Sequence, residues 1–126
     1  MISLHHVQVA MPVGAEHLAR QFYAGALGLT EVEKPADLRA RGGAWFRAYD
    51  DRGSITAEIH VGVEDPFAPA RKAHPALVVD HLDEIADRLA GLGFEVDRAQ
   101  EHAFEGYRRI HTFDAFGNRV EVLEPM

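Results

Sequence analysis

HPALVVDHLDEIADRLAGLGFEVD, residues 74–97, reads as strand, helix, strand, and its order decides how the rest of the chain is read. Side chains alternate along a strand, so His74, Ala76, Val78 and Asp80 share one face of the opening segment, and Pro75, Leu77 and Val79 share the other. A histidine therefore stands where the strand begins. Asp80 with Asp83 has the form of a helix start, and Leu82, Ile85, Ala86, Leu89 and Leu92 follow at one-face helical spacing. Gly93 is placed to stop the helix in a left-handed conformation, after which Phe94 to Arg98 resumes an extended chain.

Upstream, the first part of the chain repeats this order. Ile2 to Met11 reads as a strand with Val7, Val9 and Met11 on the core face and His6 and Gln8 opposite. Pro12 and Gly14 close it, and Ala15, Leu18, Phe22 and Ala26 form a helical stripe that runs to a stop at Gly28. Leu29 to Glu33 is a brief strand, and the polar segment 34–43, with Pro35 and two glycines, reads as a loop. Strands Ala44 to Tyr49 and Ser54 to Val63 follow, joined at Asp50-Asp51-Arg52-Gly53. Residues 1–63 thus form a β-α-β-β-β module. Residues 64–73, with Pro66 and Pro69 and no periodicity, form a linker. The second module, 74–126, adds a polar loop over 99–106 and strands Tyr107 to Phe113 and Asn118 to Leu123. Leu27-Gly28-Leu29 and Glu31-Val32 echo Leu92-Gly93-Phe94 and Glu95-Val96, which marks an internal duplication within one domain, 1–126.

Composition narrows the function. A chain of 126 residues, 47% hydrophobic, supports one core and not two independent domains. A formal charge of -7, with no basic run, argues against a nucleic-acid binder but leaves room for anionic small substrates at local arginines. With no cysteine, any metal is held by nitrogen and oxygen. The N-terminus carries no secretory-type leader, and no stretch approaches the roughly 20 apolar residues of a membrane helix, so a cytosolic location is expected.

The ordered set His6-Val7 ahead of Gln21-Phe22-Tyr23, then Glu58-Ile59-His60-Val61, then His74 with Val78-Val79-Asp80, and last Asp114-Ala115-Phe116-Gly117-Asn118-Arg119-Val120-Glu121 resembles the vicinal oxygen chelate superfamily. That superfamily includes glyoxalase I, bleomycin resistance proteins and extradiol dioxygenases, and the resemblance covers almost the whole chain. It implies an α+β fold of two tandem βαβββ modules curved into a half-barrel cleft. By position it implies His6, Glu58, His74 and Glu121 as ligands of a divalent metal such as Zn, Ni, Co, Mn or Fe. Strand parity agrees, since Glu58 lies opposite Ile55, Ala57, Ile59 and Val61, and Glu121 lies opposite Val120 and Val122. The family often has proline where Ala115 stands, in a segment that reads as a turn.

In such a site a substrate's adjacent oxygens bind the metal, and Glu58 or Glu121 moves a proton between neighbouring carbons. With His6, His74 and Glu121 alone the set would match the facial triad of Fe(II) oxygen chemistry. His60, Trp45, Arg47, Arg109 and His111 are the expected substrate-binding residues, from the same alternation. His5 is the decoy for His6, while His17, His81 and His102 read as surface residues. The leading expectation is a glyoxalase-like lyase or isomerase acting on a small substrate, with anionic ones included. The alternatives are a metal-free drug-sequestering protein of the bleomycin resistance type and an extradiol-type dioxygenase. A homodimer is expected, because bare sheet edges invite pairing.

Overall fold

In the computed structural model, which describes all of residues 1–126, the chain divides into two units, Met1–Pro69 and Ala70–Met126.

In the first unit, β1 (Val7–Met11) leads into α1 (Glu16–Arg20), which widens without a break into a further turn, Gln21–Ala26, closed by Leu27 N–H donating to the Phe22 carbonyl at 3.0 Å. Then come β2 (Thr30–Val32), a tight helical turn at Ala36–Arg41, β3 (Ala44–Tyr49) and β4 (Ile55–Val63). The sheet order is β1-β4-β3-β2, with β1 parallel to β4 and the other pairs antiparallel. Alternation does the work foreseen for it. Met11, Phe46, Ile59 and Val61 turn inward and meet Ala19, Phe22, Tyr23 and Ala26 from the helix, all buried.

Three expectations are corrected here. β1 begins at Val7 and not at Ile2, because Ile2 and Leu4 are exposed and gain nothing from an extended pairing. Segment 34–43 is not a plain loop: Leu38 N–H reaches back to the Pro35 carbonyl at 2.9 Å and starts the turn that Gly42 and Gly43 end. Gly43, at φ +87°, also lies against the Val61 carbonyl oxygen so closely that any Cβ would collide with it. Ile55, assigned to the core face, is exposed at the strand's end.

In the second unit, β5 (Ala76–Val78), α2 (Leu82–Gly91), β6 (Tyr107–Phe113) and β7 (Arg119–Pro125) give the order β5-β7-β6. Again the first strand runs parallel to the last, and the last pairs antiparallel with the one before it. The duplication is therefore topological as well as sequential. The expected strand Phe94 to Arg98 shrinks to a single bridge, Asp97 with His111, because the Asp97 carboxylate accepts Ala99 N–H at 2.8 Å and turns the chain at once.

Leu82, Ile85, Ala86 and Leu89 bury one face of α2, but Leu92 is exposed beyond its end, where Gly93 takes φ +88° as foreseen. Asp80 does not cap the helix. The cap position is His81, with no side-chain bond, and Asp83 instead pairs with Arg108 of β6 at 2.8 Å. Arg108 also meets Glu101, which fastens the 99–106 loop to the sheet, and the guanidinium beside Asp83 holds that carboxyl below its ordinary range. The turn after β6 is a buried knot. Asp114 accepts Phe116 and Asn118 N–H groups and the Asn118 amide, while Asn118 accepts Ala70 N–H at 2.9 Å.

Candidate functional site

Register brings the chemistry of the second unit together. Glu121 lies on β7, the middle strand, with Ala76 of β5 on one side and His111 of β6 on the other. His74 stands two residues before Ala76 and so belongs to the same face. The result is a histidine, histidine and glutamate cluster in which one ligand atom from each of His74, His111 and Glu121 lies within 4.8 Å of the other two. Both imidazole Nε2 atoms address the same oxygen, Glu121 Oε1, His74 at 3.0 Å and His111 at 3.5 Å. The other oxygen, Oε2, faces Arg109 Nη1 at 3.4 Å. Burial opposes the charge on Glu121, but the bonds from His74 and Arg109 outweigh it and hold the carboxyl below its ordinary range. Burial, helped by the nearby Arg119 charge, pushes the His111 imidazole down and favours its neutral form.

His74 carries the most informative contact. Its Nδ1 lies 2.8 Å from the Lys72 carbonyl oxygen. A carbonyl can only accept, so the proton belongs to Nδ1, and a neutral ring then presents the Nε2 lone pair to an ionised carboxylate oxygen. Two lone pairs meeting at 3.0 Å require a cation, either a second proton on the ring or a metal ion. A backbone carbonyl on the far nitrogen is also the usual way a metal-binding histidine is oriented. Two imidazoles and one carboxylate make a donor set that a borderline divalent ion accepts.

The first unit holds a related but different cluster. Arg47 lies opposite Glu58 across β3 and β4, and Trp45 lies opposite His60. Both oxygens of buried Glu58 are engaged: Arg47 Nε–H donates to Oε1 at 2.8 Å and His60 Nε2–H donates to Oε2 at 2.6 Å. Burial works against the Glu58 charge, yet these bonds prevail and hold its carboxyl below the ordinary range, while burial pushes His60 down. His60 is the middle ring of a stack, with Trp45 parallel at 3.8 Å between ring centres and His6 at 4.0 Å. His6 itself is exposed, with its Nδ1 2.9 Å from that of His5.

The expected site residues thus fall into two groups. His6, Trp45, Arg47, Glu58 and His60 are gathered in the first unit, and His74, Arg109, His111 and Glu121 in the second. His111, read from sequence as a substrate contact, sits at ligand distance from Glu121. Its signal was available: counting back from the turn, with Phe113 opposite Arg119, puts His111 opposite Glu121. Nothing in the sequence alone showed that Arg47 and His60 would occupy both oxygens of Glu58.

The sequence model of the Glyoxalase/Bleomycin resistance protein/Dioxygenase superfamily matches residues 3–122. No protein of curated function matches the chain. Among solved structures, a protein of Bacillus anthracis described as of the glyoxalase family is 42% identical, with TM-score 0.88, over 100% of this chain and 97% of that one. The fosfomycin resistance protein FosX of Listeria monocytogenes is 18% identical, with TM-score 0.70, over 100% and 94%. TnmS3, an antibiotic binding protein of Streptomyces sp. CB03234, is 21% identical, with TM-score 0.67, over 100% and 99%. The last two likenesses are of fold.

Proposed function

Because the chain belongs to the glyoxalase, bleomycin resistance protein and dioxygenase superfamily, we propose that it is a divalent-metal-dependent enzyme of the glyoxalase type, acting on a small substrate through adjacent oxygens. The observation that carries this reading is the convergence of His74 Nε2, at 3.0 Å, and His111 Nε2, at 3.5 Å, on one oxygen of Glu121. When bound, the ion supplies Lewis-acid stabilisation of charge developing on substrate oxygens. The protein's own groups prepare that site. The Lys72 carbonyl turns His74 Nε2 inward, Arg109 holds Glu121 Oε2 and leaves Oε1 to the histidines, and burial favours the neutral form of His111.

Glu58 is the proton-transfer carboxylate in this reading, with Arg47 and His60 fixing its orientation. With its carboxyl held below the ordinary range it is a weak base as long as both bonds persist, so withdrawal of Arg47 is the step that would strengthen it. The assembly proposed is a homodimer, since β1 and β5 each leave a sheet edge bare. No helix is long and apolar enough to cross a membrane.

Chelator-treated protein titrated calorimetrically with Zn, Ni, Co, Mn and Fe(II) is expected to take up about one ion per chain, with the uptake abolished in His74→Ala and His111→Ala. Loss of uptake in His6→Ala or Glu58→Gln as well would extend the ligand set to the residues the family resemblance adds. No uptake of any of these ions by the unmodified protein would overturn the reading. It would leave the binding-protein alternative, which the parallel Trp45 and His60 rings favour as a platform for a flat molecule.

A further inference from the structure

Beside the stacked rings, the first unit contains a second feature that the metal reading does not use. A cavity of about 220 Å³ opens between the helical turn Ala36–Arg41 and the sheet, lined among others by Gln8, Lys34, Leu38, Arg41, Trp45 and Gly62. It has no acidic lining residue, in a chain whose formal charge is -7. Of the acids around it, Glu33 pairs with Arg39 at 2.6 Å and Glu16 accepts Gly43 N–H at 3.1 Å, while Asp37, on the same turn, is not part of the lining. Arg39 is thus satisfied, whereas Arg41, two residues on and lining the cavity, makes no ion pair or hydrogen bond. Lys34 donates to the Gly42 carbonyl, which fixes its ammonium at the cavity wall and leaves two of its three donors unused.

The remaining wall is built to match. The Gln8 amide lies directly over Gly62, where a Cβ would meet Gln8 Nε2 at 2.7 Å, so the absent side chain is what gives the amide its place. Leu38 and Trp45 supply apolar surface to the same cavity. We propose that this cavity binds a small organic carboxylate, its two oxygens on the Arg41 guanidinium fork with the Lys34 ammonium as a further donor, and its short apolar body against Leu38 and Trp45. A guanidinium fork matches a carboxylate in two parallel hydrogen bonds, which a neutral amide cannot reproduce. The volume lies below the ~300–1,000 Å³ of drug-sized sites, which confines the ligand to a small acid or the acid end of a larger one. This does not rest on the metal reading and survives its failure.

Trp45 is the only tryptophan, so tryptophan fluorescence reports on its surroundings, this wall and the His60 ring it stacks on, and the Arg41 and Lys34 variants tell the two apart. With full-length, chelator-treated protein, benzoate is expected to give a saturable change that weakens with added salt, and benzamide none. Arg41→Gln is expected to weaken benzoate binding about tenfold or more and Lys34→Met to weaken it severalfold, with Arg39→Gln, the paired neighbour, within about twofold of wild type. No saturable change with benzoate, benzamide binding as well as benzoate, or benzoate affinity unmoved by Arg41→Gln would each overturn the proposal.

Discussion

Glu121→Gln is expected to weaken divalent-metal binding about a hundredfold or more, since losing even an outer-shell partner of a metal ligand costs about 10- to 100-fold. The substitution keeps the shape of the side chain and removes its charge. It leaves an uncharged amide where both His74 and His111 address a carboxylate oxygen, and it leaves Arg109 without its buried counter-charge. The two consequences are separable. Titration of the chelator-treated variant reads the lost ligand, and a thermal melt of the same metal-free sample reads the unbalanced Arg109. Metal affinity within about threefold of wild type, in a variant that melts normally, would show that Glu121 is not a ligand.

The largest effect on stability is expected at Phe46. It is fully buried in β3 and its ring lies over Tyr23 with centres 5.4 Å apart and planes 27° from parallel. Phe46→Ala removes the side chain that joins the sheet to the helix in the first unit, and truncations of this kind cost about 3–5 kcal/mol. Urea unfolding at neutral pH checks it. A loss below about 1 kcal/mol would mean that the β3 face is not packed as described. Since the alternation that buries Phe46 also turns Arg47 to Glu58, such a result would undermine the first unit's polar cluster as well.

How far the sequence could be read depended on whether a residue's partners were local. The alternation of Ile59 and Val61 against Glu58 and His60 and the spacing of Leu82, Ile85, Ala86 and Leu89 needed no knowledge of the remainder of the chain; the helix spacing is seen in burial, the strand alternation in the partners of Glu58 and His60, since all four strand residues are buried. The repeat emerged from element order and returns as the same strand pairing in each unit. Elsewhere the decisive contact was distant or competitive. Phe94 to Arg98 has a strand-like composition, but the Asp97 side chain captures the next turn and ends the pairing after one bridge. Asp83 was read as part of a helix start, and a longer-range arginine, Arg108, claims it.

The site shows the same division. Which residues face a sheet's polar side was legible from parity, whereas which of them touch was not. Glu58 and Glu121 read alike in sequence, each in a terminal strand of its module. The fold gives Glu58 a guanidinium and a histidine donor on its two oxygens, and gives Glu121 two histidines converging on one. That contrast separates the carboxylate proposed to carry a proton from the one proposed to hold an ion.

The most direct test is a crystal of the protein soaked in zinc and measured on either side of the zinc absorption edge. The account predicts an anomalous peak at about 2.0–2.2 Å from a Glu121 oxygen and from Nε2 of His74 and His111. A zinc-soaked crystal with no peak beside Glu121, or with its peak away from both histidines, would contradict it.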